Sequence, residues 1–206
     1  MFFKSILLRT FGAILLLALV VTSCKRSAIE QTKFIPKDAN FVFAVKPKNI
    51  QEKIKEGNLN LDSIFKPFSE KQENKESFNI TWSDLKTSGV DLSKDLFFFL
   101  QTKGSALTGT NYVVGYVAAL KSQADFEAFL KKKSLDIQKG KEFSSAKLKD
   151  DFMVGWNSDV VIMVVNTENS YARWNDNAAA DTVNASLKEL DELFSLKKEN
   201  SIASID

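Results

Sequence analysis

The segment LFFFLQTKGSALTGTNYVVGYVAAL, residues 96–120, decides the fold. Two apolar runs, at 96–100 and 112–120, flank a polar loop that contains glycine. Two apolar runs joined by such a loop are typical of an antiparallel β-hairpin. Gly115 lies inside the second run, and it indicates either a bulge or a close approach of another group to the backbone.

A second hairpin is predicted further along the chain. Apolar runs at 152–156 and 160–165 flank the short polar stretch Asn-Ser-Asp, which is typical of a tight turn. A weaker strand is expected within residues 141–148, around Phe143. These strands would extend the sheet that begins with the first hairpin.

Residues 122–133 carry the clearest helical pattern. Ser122 stands where a helix N-cap is expected, and apolar residues follow at helical spacing, at Phe126, Phe129 and Leu130. Lys131–Lys133 end the pattern, where cations suit the negative end of the helix dipole. The sequence therefore places an amphipathic helix between the two hairpins.

The remaining elements complete the fold prediction. Residues 41–45 are apolar without alternation and indicate a buried central strand. A helix is predicted from Pro47, and a last amphipathic helix from Asn184, with its apolar face at Leu187, Leu190, Leu193 and Phe194. Hairpins with helices between them predict an α+β domain that has a mixed, mostly antiparallel sheet with helices on one face. The first part of this order resembles a ferredoxin-like unit.

The first 23 residues have the pattern of a secretory signal. Lys4 and Arg9 precede an unbroken apolar run at 11–21, and small residues follow up to Cys24. A bilayer-spanning helix needs about 20 apolar residues. The run is shorter than that, so its length disfavours the alternative of an uncleaved membrane helix.

Residues 21–24, Val-Thr-Ser-Cys, resemble the bacterial lipobox. The resemblance implies cleavage between Ser23 and Cys24 and lipid attachment to the Cys24 thiol. It divides the chain into a lipoprotein signal peptide (1–23), a lipidated tether (24–33) and an α+β domain (34–206). Cys24 then anchors the protein to a membrane.

The residues after Cys24 bear on localisation. Lys25 takes the place of the aspartate that retains lipoproteins at the inner membrane, which implies the outer membrane. Some related lipoproteins carry acidic residues here as a signal for display on the cell surface, and this chain has Lys25 and Arg26 instead. A periplasm-facing position is favoured, and surface exposure is the alternative.

Composition excludes several function classes. The chain has 28 basic and 26 acidic residues, and the leader holds two basic residues and no acid, so residues 24–206 carry no net formal charge. Nucleic-acid binding needs a basic face, so no nucleic-acid partner is expected. The absence of histidine excludes imidazole bases and His-ligated zinc. The 17 Phe indicate an aromatic-rich core or, alternatively, aromatic patches on the surface.

The chain resembles a family of lipoproteins grouped as domain of unknown function 4836, from Bacteroides-type envelopes. The resemblance rests on FIPKDANFVFAVKPKNI (34–50), KDLFFFL (94–100) and YVVGYVAALKSQADFEAFLKK (112–132). These are structural positions, and the family has no established activity, so no catalytic residues are implied. Family members are usually longer, so the resemblance leads us to expect that residues 34–206 come from a truncated gene, are a fragment, or are the N-terminal part of a longer family member.

Candidate binding and modification residues lie in polar segments. Tyr171 and Trp174 stand among polar residues at 166–183, where aromatics stack on sugars or partner proteins, or else pin the loop to the sheet. Ser63 and Thr182 lie in Asp-hydroxyl-aliphatic triplets that resemble an O-glycosylation signal of Bacteroides-type envelopes. We expect a partner that is an envelope protein or a glycan.

Catalytic and metal motifs are weak. Two Ser-x-x-Lys pairs, Ser144 with Lys147 and Ser195 with Lys198, lack the companion motifs of penicillin-recognising enzymes. The acids and amides of 175–181 lack the ordered spacing of a calcium loop. The sequence therefore favours a non-enzymatic binding or structural module without metal or cofactor. The alternative is an envelope hydrolase that uses carboxylates or a Ser-Lys pair.

Overall fold

A computed structural model describes residues 30–56, 82–105, 109–148, 152–166 and 178–205. The described strands are β1 (Phe41–Val45), β2 (Leu96–Ser105), β3 (Gly109–Ala119), β4 (Ile137–Lys139), β5 (Ser144–Lys147), β6 (Met153–Trp156) and β7 (Val160–Asn166). The described helices are α1 (Pro47–Glu56), α2 (Trp82–Thr87), α3 (Gln123–Lys132) and α4 (Ala178–Phe194), with short 3-10 turns at Glu30–Phe34, Lys198–Asn200 and Ile202–Ser204.

The described strands form one sheet in the order β1-β2-β3-β7-β6-β5-β4. The predicted α+β class and both predicted hairpins, β2–β3 and β6–β7, are confirmed. The first hairpin is longer than its apolar runs, because backbone pairing continues through polar residues to Ser105 opposite Gly109. Backbone hydrogen bonds do not depend on side-chain polarity, so the ladder runs past the hydrophobic pattern.

The pairing of β3 with β7 joins the two hairpins. Its register runs from Val113 opposite Asn166 to Ala119 opposite Val160. Every strand pair among the described residues is antiparallel. Within the described part of the chain the sheet is therefore antiparallel throughout rather than mixed. Its order differs from the expected ferredoxin-like unit, whose β-α-β connections place strands in parallel.

Helices cover both faces of the sheet, whereas the sequence pattern predicted helices on one face only. On one face, Leu190 and Leu193 of α4 pack with Ile162 of β7. On the other, Phe126 and Leu130 of α3 pack in a second cluster. Alternate residues of β7 belong to the two clusters, so its continuous apolar run is buried on both sides.

The N-terminal cap of α3 forms as the sequence predicts. The Ser122 hydroxyl accepts a hydrogen bond from the Asp125 backbone N–H at 3.2 Å. At the other end of the helix, the Lys133 ammonium lies 3.0 Å from the Asp84 carboxylate. This last lysine of the predicted helix-end cluster therefore links α3 to α2.

Glu127 ties α3 to the strands beneath it. Its carboxylate accepts hydrogen bonds from the Lys139 ammonium, from Gln123 Nε2 at 2.9 Å and from Trp156 Nε1 at 3.2 Å. The pKa of Glu127 is lowered from 4.5 to about 2, chiefly by the hydrogen bond from Lys139 and then by that from Gln123. Burial acts in the opposite direction but is outweighed. The folded state therefore holds this carboxylate in its charged form.

Acidification is expected to destabilise the protein through Glu127. A depressed pKa gives stability that is present above the unfolded value of 4.5 and is lost as pH falls towards about 2. Urea unfolding between pH 2.5 and 7 should therefore show a weaker pH dependence in Glu127→Gln than in the wild type. Glu142→Gln, at an exposed position, is the matched control and should follow the wild type. Parallel profiles for wild type and Glu127→Gln would contradict the assignment.

Gly115 marks a close approach rather than a bulge. The register of β2 with β3 is continuous through Gly115, which lies opposite Phe99. A Cβ atom at Gly115 would lie 2.2 Å from a ring carbon of Phe99. Phe99 is fully buried, so its ring occupies the space above the glycine.

Gly115→Ala is expected to lower the free energy of unfolding by about 1–3 kcal/mol, because a buried aromatic ring must move to admit the methyl group. Truncating the ring should relieve the clash. A double-mutant cycle with Phe99→Leu, measured by urea unfolding, should then show a coupling of about 1 kcal/mol or more between the two positions. Additive effects would mean that the ring does not set the requirement for glycine.

The prediction of β1 as a buried central strand is wrong. Among the described strands, β1 pairs only with β2 and forms an edge of the sheet. Phe41 and Phe43 are each 52% exposed. An apolar run without alternation has the same pattern in a strand covered on both faces and in an edge strand covered on neither, so local sequence does not separate the two.

The described structure begins at Glu30, inside the segment 24–33 that the sequence analysis assigns to the tether. Gln31 is buried in the first 3-10 turn, and Ile35, directly after that turn, is fully buried. The Ile202 backbone N–H donates to the Ile35 carbonyl at 3.0 Å, which ties this turn to the C-terminal turns. None of the helices in the described ranges is long and apolar enough to cross a membrane.

Candidate functional site

Most of the site residues predicted from sequence lie outside the part of the chain that the structure describes. The structure places Thr182 within α4. Those that fall outside the described residues are Ser23, Cys24, Ser63, Tyr171 and Trp174. Two other features of the described residues, an exposed aromatic surface and a polar cleft, are the candidate sites.

The aromatic surface lies on β1, β2 and β3. It consists of Phe41, Phe43, Tyr112 and Tyr116, each between 42% and 52% exposed, and of the half-buried Phe98 between them. Strand register places Phe43, Phe98 and Tyr116 side by side in one row across the three strands. Successive side chains of a strand alternate between faces, so this surface is the face opposite the α4 core. In the described residues, α3 covers this face only further along the sheet.

The rings of the aromatic surface are tilted against one another. The ring centroids of Phe98 and Tyr116 lie 5.1 Å apart at an interplanar angle of 61°, and those of Phe41 and Phe98 lie 6.4 Å apart at 64°. These are favourable edge-to-face pairs. Neighbouring rings do not lie flat in one plane, so they present ridges and grooves for side chains rather than a flat platform.

The edge strand β1 borders the aromatic surface. Its five residues, Phe-Val-Phe-Ala-Val, include no charge and no proline. Val42, which points to the opposite face from Phe41 and Phe43, is 36% exposed. Natural sheets usually blunt their edges with charges, prolines or bulges. An uncharged apolar edge of this kind is a template for pairing with another strand.

The polar cleft is formed where β2, α4, the residues just before β1 and the 3-10 turn Lys198–Asn200 meet. Its volume is about 440 Å³. Five of its side chains are charged, three acidic and two basic. The lining residues are Pro36, Lys37, Asp38, Gln101, Lys103, Glu189, Glu192, Leu193, Leu196 and Asn200. Leu193 also belongs to the core, so the cleft is built directly on the packed sheet.

Lys103 is the centre of an ion-pair cluster in the cleft. Its Nζ lies 2.8 and 2.7 Å from the two carboxylate oxygens of Glu189, and 2.7 Å from Glu192 Oε2. Glu189 and Glu192 are three residues apart and therefore share one face of α4. The side chain of Glu189 is only 2% exposed, whereas that of Glu192 is 51% exposed.

The two ends of the buried pair respond differently to their surroundings. Burial raises the pKa of Glu189 above its ordinary value, and the hydrogen bond and charge of Lys103 offset this only in part. Burial by itself lowers the pKa of Lys103, but the bonds to Glu189 and Glu192 outweigh it, so that the net shift is upward. Lys103 is therefore charged at neutral pH, where it neutralises one carboxylate of a pair.

Gln101 lies beside this cluster in the cleft lining. Its Nε2 donates to Asp38 Oδ1 at 2.8 Å, which fixes the orientation of the amide. Gln101 is 4% exposed, and its Oε1 atom has no hydrogen-bond partner among the described residues. A buried acceptor without a donor is costly, by about 1–3 kcal/mol, and is therefore informative.

The structure places one Ser-x-x-Lys pair on β5 and the other just after the end of α4. Ser144 and Lys147 lie on β5, where residues three apart point to opposite faces of the sheet. The Ser195 hydroxyl donates to the Asp191 carbonyl at 2.7 Å, which ties it to the end of α4. Within the described ranges, no group of three or more Asp, Glu, His or Cys side chains is arranged to hold a metal ion.

Comparison of the chain with protein-family models, with curated proteins and with solved structures finds no match. The functional proposals for this chain therefore depend on the chemistry of its own residues and on its leader.

Proposed function

We propose that the chain is a lipid-anchored protein of the cell envelope whose α+β domain is a non-enzymatic binding module. The leader pattern and Cys24 support the anchor. Lys25 and Arg26 support an outer-membrane position that faces the periplasm. Each buried lipid CH₂ contributes about 0.8 kcal/mol, so two or three chains on Cys24 hold the protein stably on a membrane.

One observation carries the binding role, namely the uncharged edge strand β1 beside the aromatic surface. An extended peptide added to an open edge gains main-chain hydrogen bonds, and its alternate side chains meet the two faces of the strand. Both faces of β1 are apolar, through Val42 on one side and Phe41 and Phe43 on the other. The partner that fits is an extended apolar segment of another envelope protein.

A glycan partner fits the aromatic surface less well. Sugar rings stack on flat aromatic faces, whereas Phe98 meets both of its neighbouring rings edge-to-face. A glycan also makes no use of the backbone donors and acceptors on the open edge of β1. These two features favour a protein strand over a glycan.

The lipid anchor is tested on the amino terminus. In native membranes, mass spectrometry should find a chain that begins at Cys24 and carries acyl groups, and the Cys24→Ser variant should leave the membrane fraction. An unprocessed amino terminus would overturn the anchor. Membrane partitioning of Cys24→Ser equal to that of the wild type would do the same.

Strand addition is tested by cross-linking in the native envelope. Cys24 is the only cysteine, so a lipidated chain with Val42→Cys carries a single free thiol on the edge strand. A thiol-to-amine cross-linker should join this position to an extended segment of another protein, identified by mass spectrometry. Adding Phe41→Glu and Phe43→Glu, which place charges on the edge strand without adding amines that would react with the cross-linker, should abolish the product.

The matched control is Lys141→Cys, an exposed position outside the edge strand. A product of identical mass from Lys141→Cys, or no product at Val42→Cys, would overturn strand addition. A product of twice the mass of the chain would identify a second copy as the occupant and would overturn the proposed partner.

The alternative function, an envelope hydrolase that uses carboxylates, draws on Glu189 and Glu192 in the polar cleft. Carboxylate pairs in glycosidases flank the space that the scissile bond occupies. Here the Lys103 ammonium lies between the two carboxylates, at 2.7–2.8 Å from both. The arrangement is that of a neutralised ion pair, so we favour the binding module.

A further inference from the structure

The polar cleft contains more free acceptors than free donors. An ammonium has three N–H donors, and Lys103 directs three bonds to Glu189 and Glu192. On the acceptor side, Glu192 Oε1 and Asp38 Oδ2 have no hydrogen bond within the described ranges, and Gln101 Oε1 is unpartnered. Lys37, exposed at the mouth of the cleft, is the other cation of the lining.

The net charge of the cleft lining, like its excess of free acceptors, favours a cationic ligand. Three carboxylates, of Asp38, Glu189 and Glu192, face two lysines, so the cleft carries one excess negative charge. An anionic ligand would be repelled by this excess negative charge, and the N–H donors of Lys103 are already bonded to Glu189 and Glu192. A cation that brings N–H donors would satisfy both the charge and the open acceptors.

We propose that the polar cleft binds a small ligand through a protonated amine, which donates hydrogen bonds to Asp38 and Glu192 beside the unpartnered Oε1 atom of Gln101. The cavity of about 440 Å³ is of the size that holds a small molecule. Pro36, Leu193 and Leu196 provide apolar contacts for the rest of the ligand. This site is separate from the proposed strand-docking surface and does not depend on it.

The test compares two probes that differ at one position. Glucosamine carries an ammonium where glucose carries a hydroxyl, and both are small enough for a cavity of about 440 Å³. Isothermal titration calorimetry of the full chain in detergent at pH 6.5 should show glucosamine binding at least tenfold more tightly than glucose. Equal affinities, or no glucosamine binding, would overturn the proposal.

Substitutions of the two proposed acceptors test whether the amine of glucosamine binds in the polar cleft. Glu192→Gln and Asp38→Asn should each weaken glucosamine binding by about tenfold or more, because each removes a charged acceptor. Glu142→Gln, an exposed acid elsewhere, is the matched control and should leave the affinity unchanged. The Glu192 side chain is 51% exposed, so its substitution leaves the fold intact, which thermal unfolding checks.

Unchanged affinity in both Glu192→Gln and Asp38→Asn would overturn the placement of the amine. The outcome is independent of the strand-docking proposal, because cross-linking at Val42→Cys should be unaffected by Glu192→Gln. A loss of both glucosamine binding and cross-linking in Glu192→Gln would show instead that this variant disrupts the domain. The glucosamine affinity of Asp38→Asn then decides whether the amine binds in the cleft.

Discussion

Trp156→Ala is expected to lower the free energy of unfolding by about 3–5 kcal/mol, the range for removing a large aromatic side chain from a core. Trp156 is fully buried, and its ring packs edge-to-face against Phe126 of α3 with centroids 5.5 Å apart. The substitution removes the packing between α3 and β6 and also the Nε1 hydrogen bond to Glu127.

Trp156→Phe separates these two contributions. It keeps an aromatic ring against Phe126 and loses the hydrogen bond, so the expected loss is smaller than that of Trp156→Ala. Tyr116→Ala is the matched aromatic control on the same face of the sheet. Tyr116 is 42% exposed, so its truncation should change stability by about 1 kcal/mol or less.

Urea unfolding followed by far-UV circular dichroism measures all three variants. A loss in Tyr116→Ala as large as that in Trp156→Ala would contradict the assignment of Tyr116 to a binding surface rather than to the core. A loss of only about 1 kcal/mol in Trp156→Ala would mean that α3 does not depend on Trp156 for its packing.

Lys103→Met is expected to destabilise the protein by about 3 kcal/mol at pH 7. Removing one partner of a buried ion pair costs about 3–5 kcal/mol because a charge is left without compensation. In Lys103→Met, Glu189 can avoid being an unpaired buried charge by taking up a proton. At about 1.36 kcal/mol per unit between its ordinary pKa of 4.5 and pH 7, that costs at most about 3.4 kcal/mol. The protein adopts whichever of these two states costs less, so the cost of protonating Glu189 sets the upper limit of the destabilisation.

The destabilisation of Lys103→Met should disappear in acid. A carboxyl group whose folded pKa is raised binds more protons when folded, so stability falls as pH rises above the unfolded value of 4.5. Unfolding curves of Lys103→Met and wild type should therefore converge below about pH 4.5 and separate towards pH 7. A difference that does not change with pH would contradict an unpaired Glu189 as the cause.

A second substitution provides the control for charge. Adding Glu189→Gln to Lys103→Met removes the buried charge and keeps an acceptor for Asn166 Nδ2, which lies 3.2 Å from Glu189. Most of the lost stability should return. Lys198→Met, at an exposed position, should change stability by less than about 0.5 kcal/mol. No recovery in the double variant would mean that Lys103 acts through packing of its stem.

The sequence predicted most of the local structure because hairpins and amphipathic helices are coded by nearby residues. The β2–β3 hairpin and the Ser122 cap of α3 formed at the predicted places. The close approach at Gly115 was one of two predicted alternatives, and only the position of the Phe99 ring decided between them. The aromatic residues divided between core and surface, which composition had left open.

The candidate sites could not be predicted in the same way. Lys103 and Glu189 are 86 residues apart in the chain, and no local pattern relates them. The Gln101 amide meets Asp38 across 63 residues. Their proximity follows from the placement of α4 and the domain turns against β2, so sequence periodicity contains no signal for the polar cleft.

By itself, the sequence determined both hairpins, the helices that begin at Pro47 and Gln123 and the last amphipathic helix, but not β4. It also determined the signal-like leader pattern and the exclusion of imidazole chemistry. Tertiary structure alone decided that β1 is an edge, that α3 and α4 cover opposite faces, and that Lys103 lies between two carboxylates. The physical reason is the separation along the chain of the residues that interact. Apolar periodicity reports how a segment divides its own side chains, whereas strand neighbours and buried charge pairs depend on contacts between segments far apart in the chain.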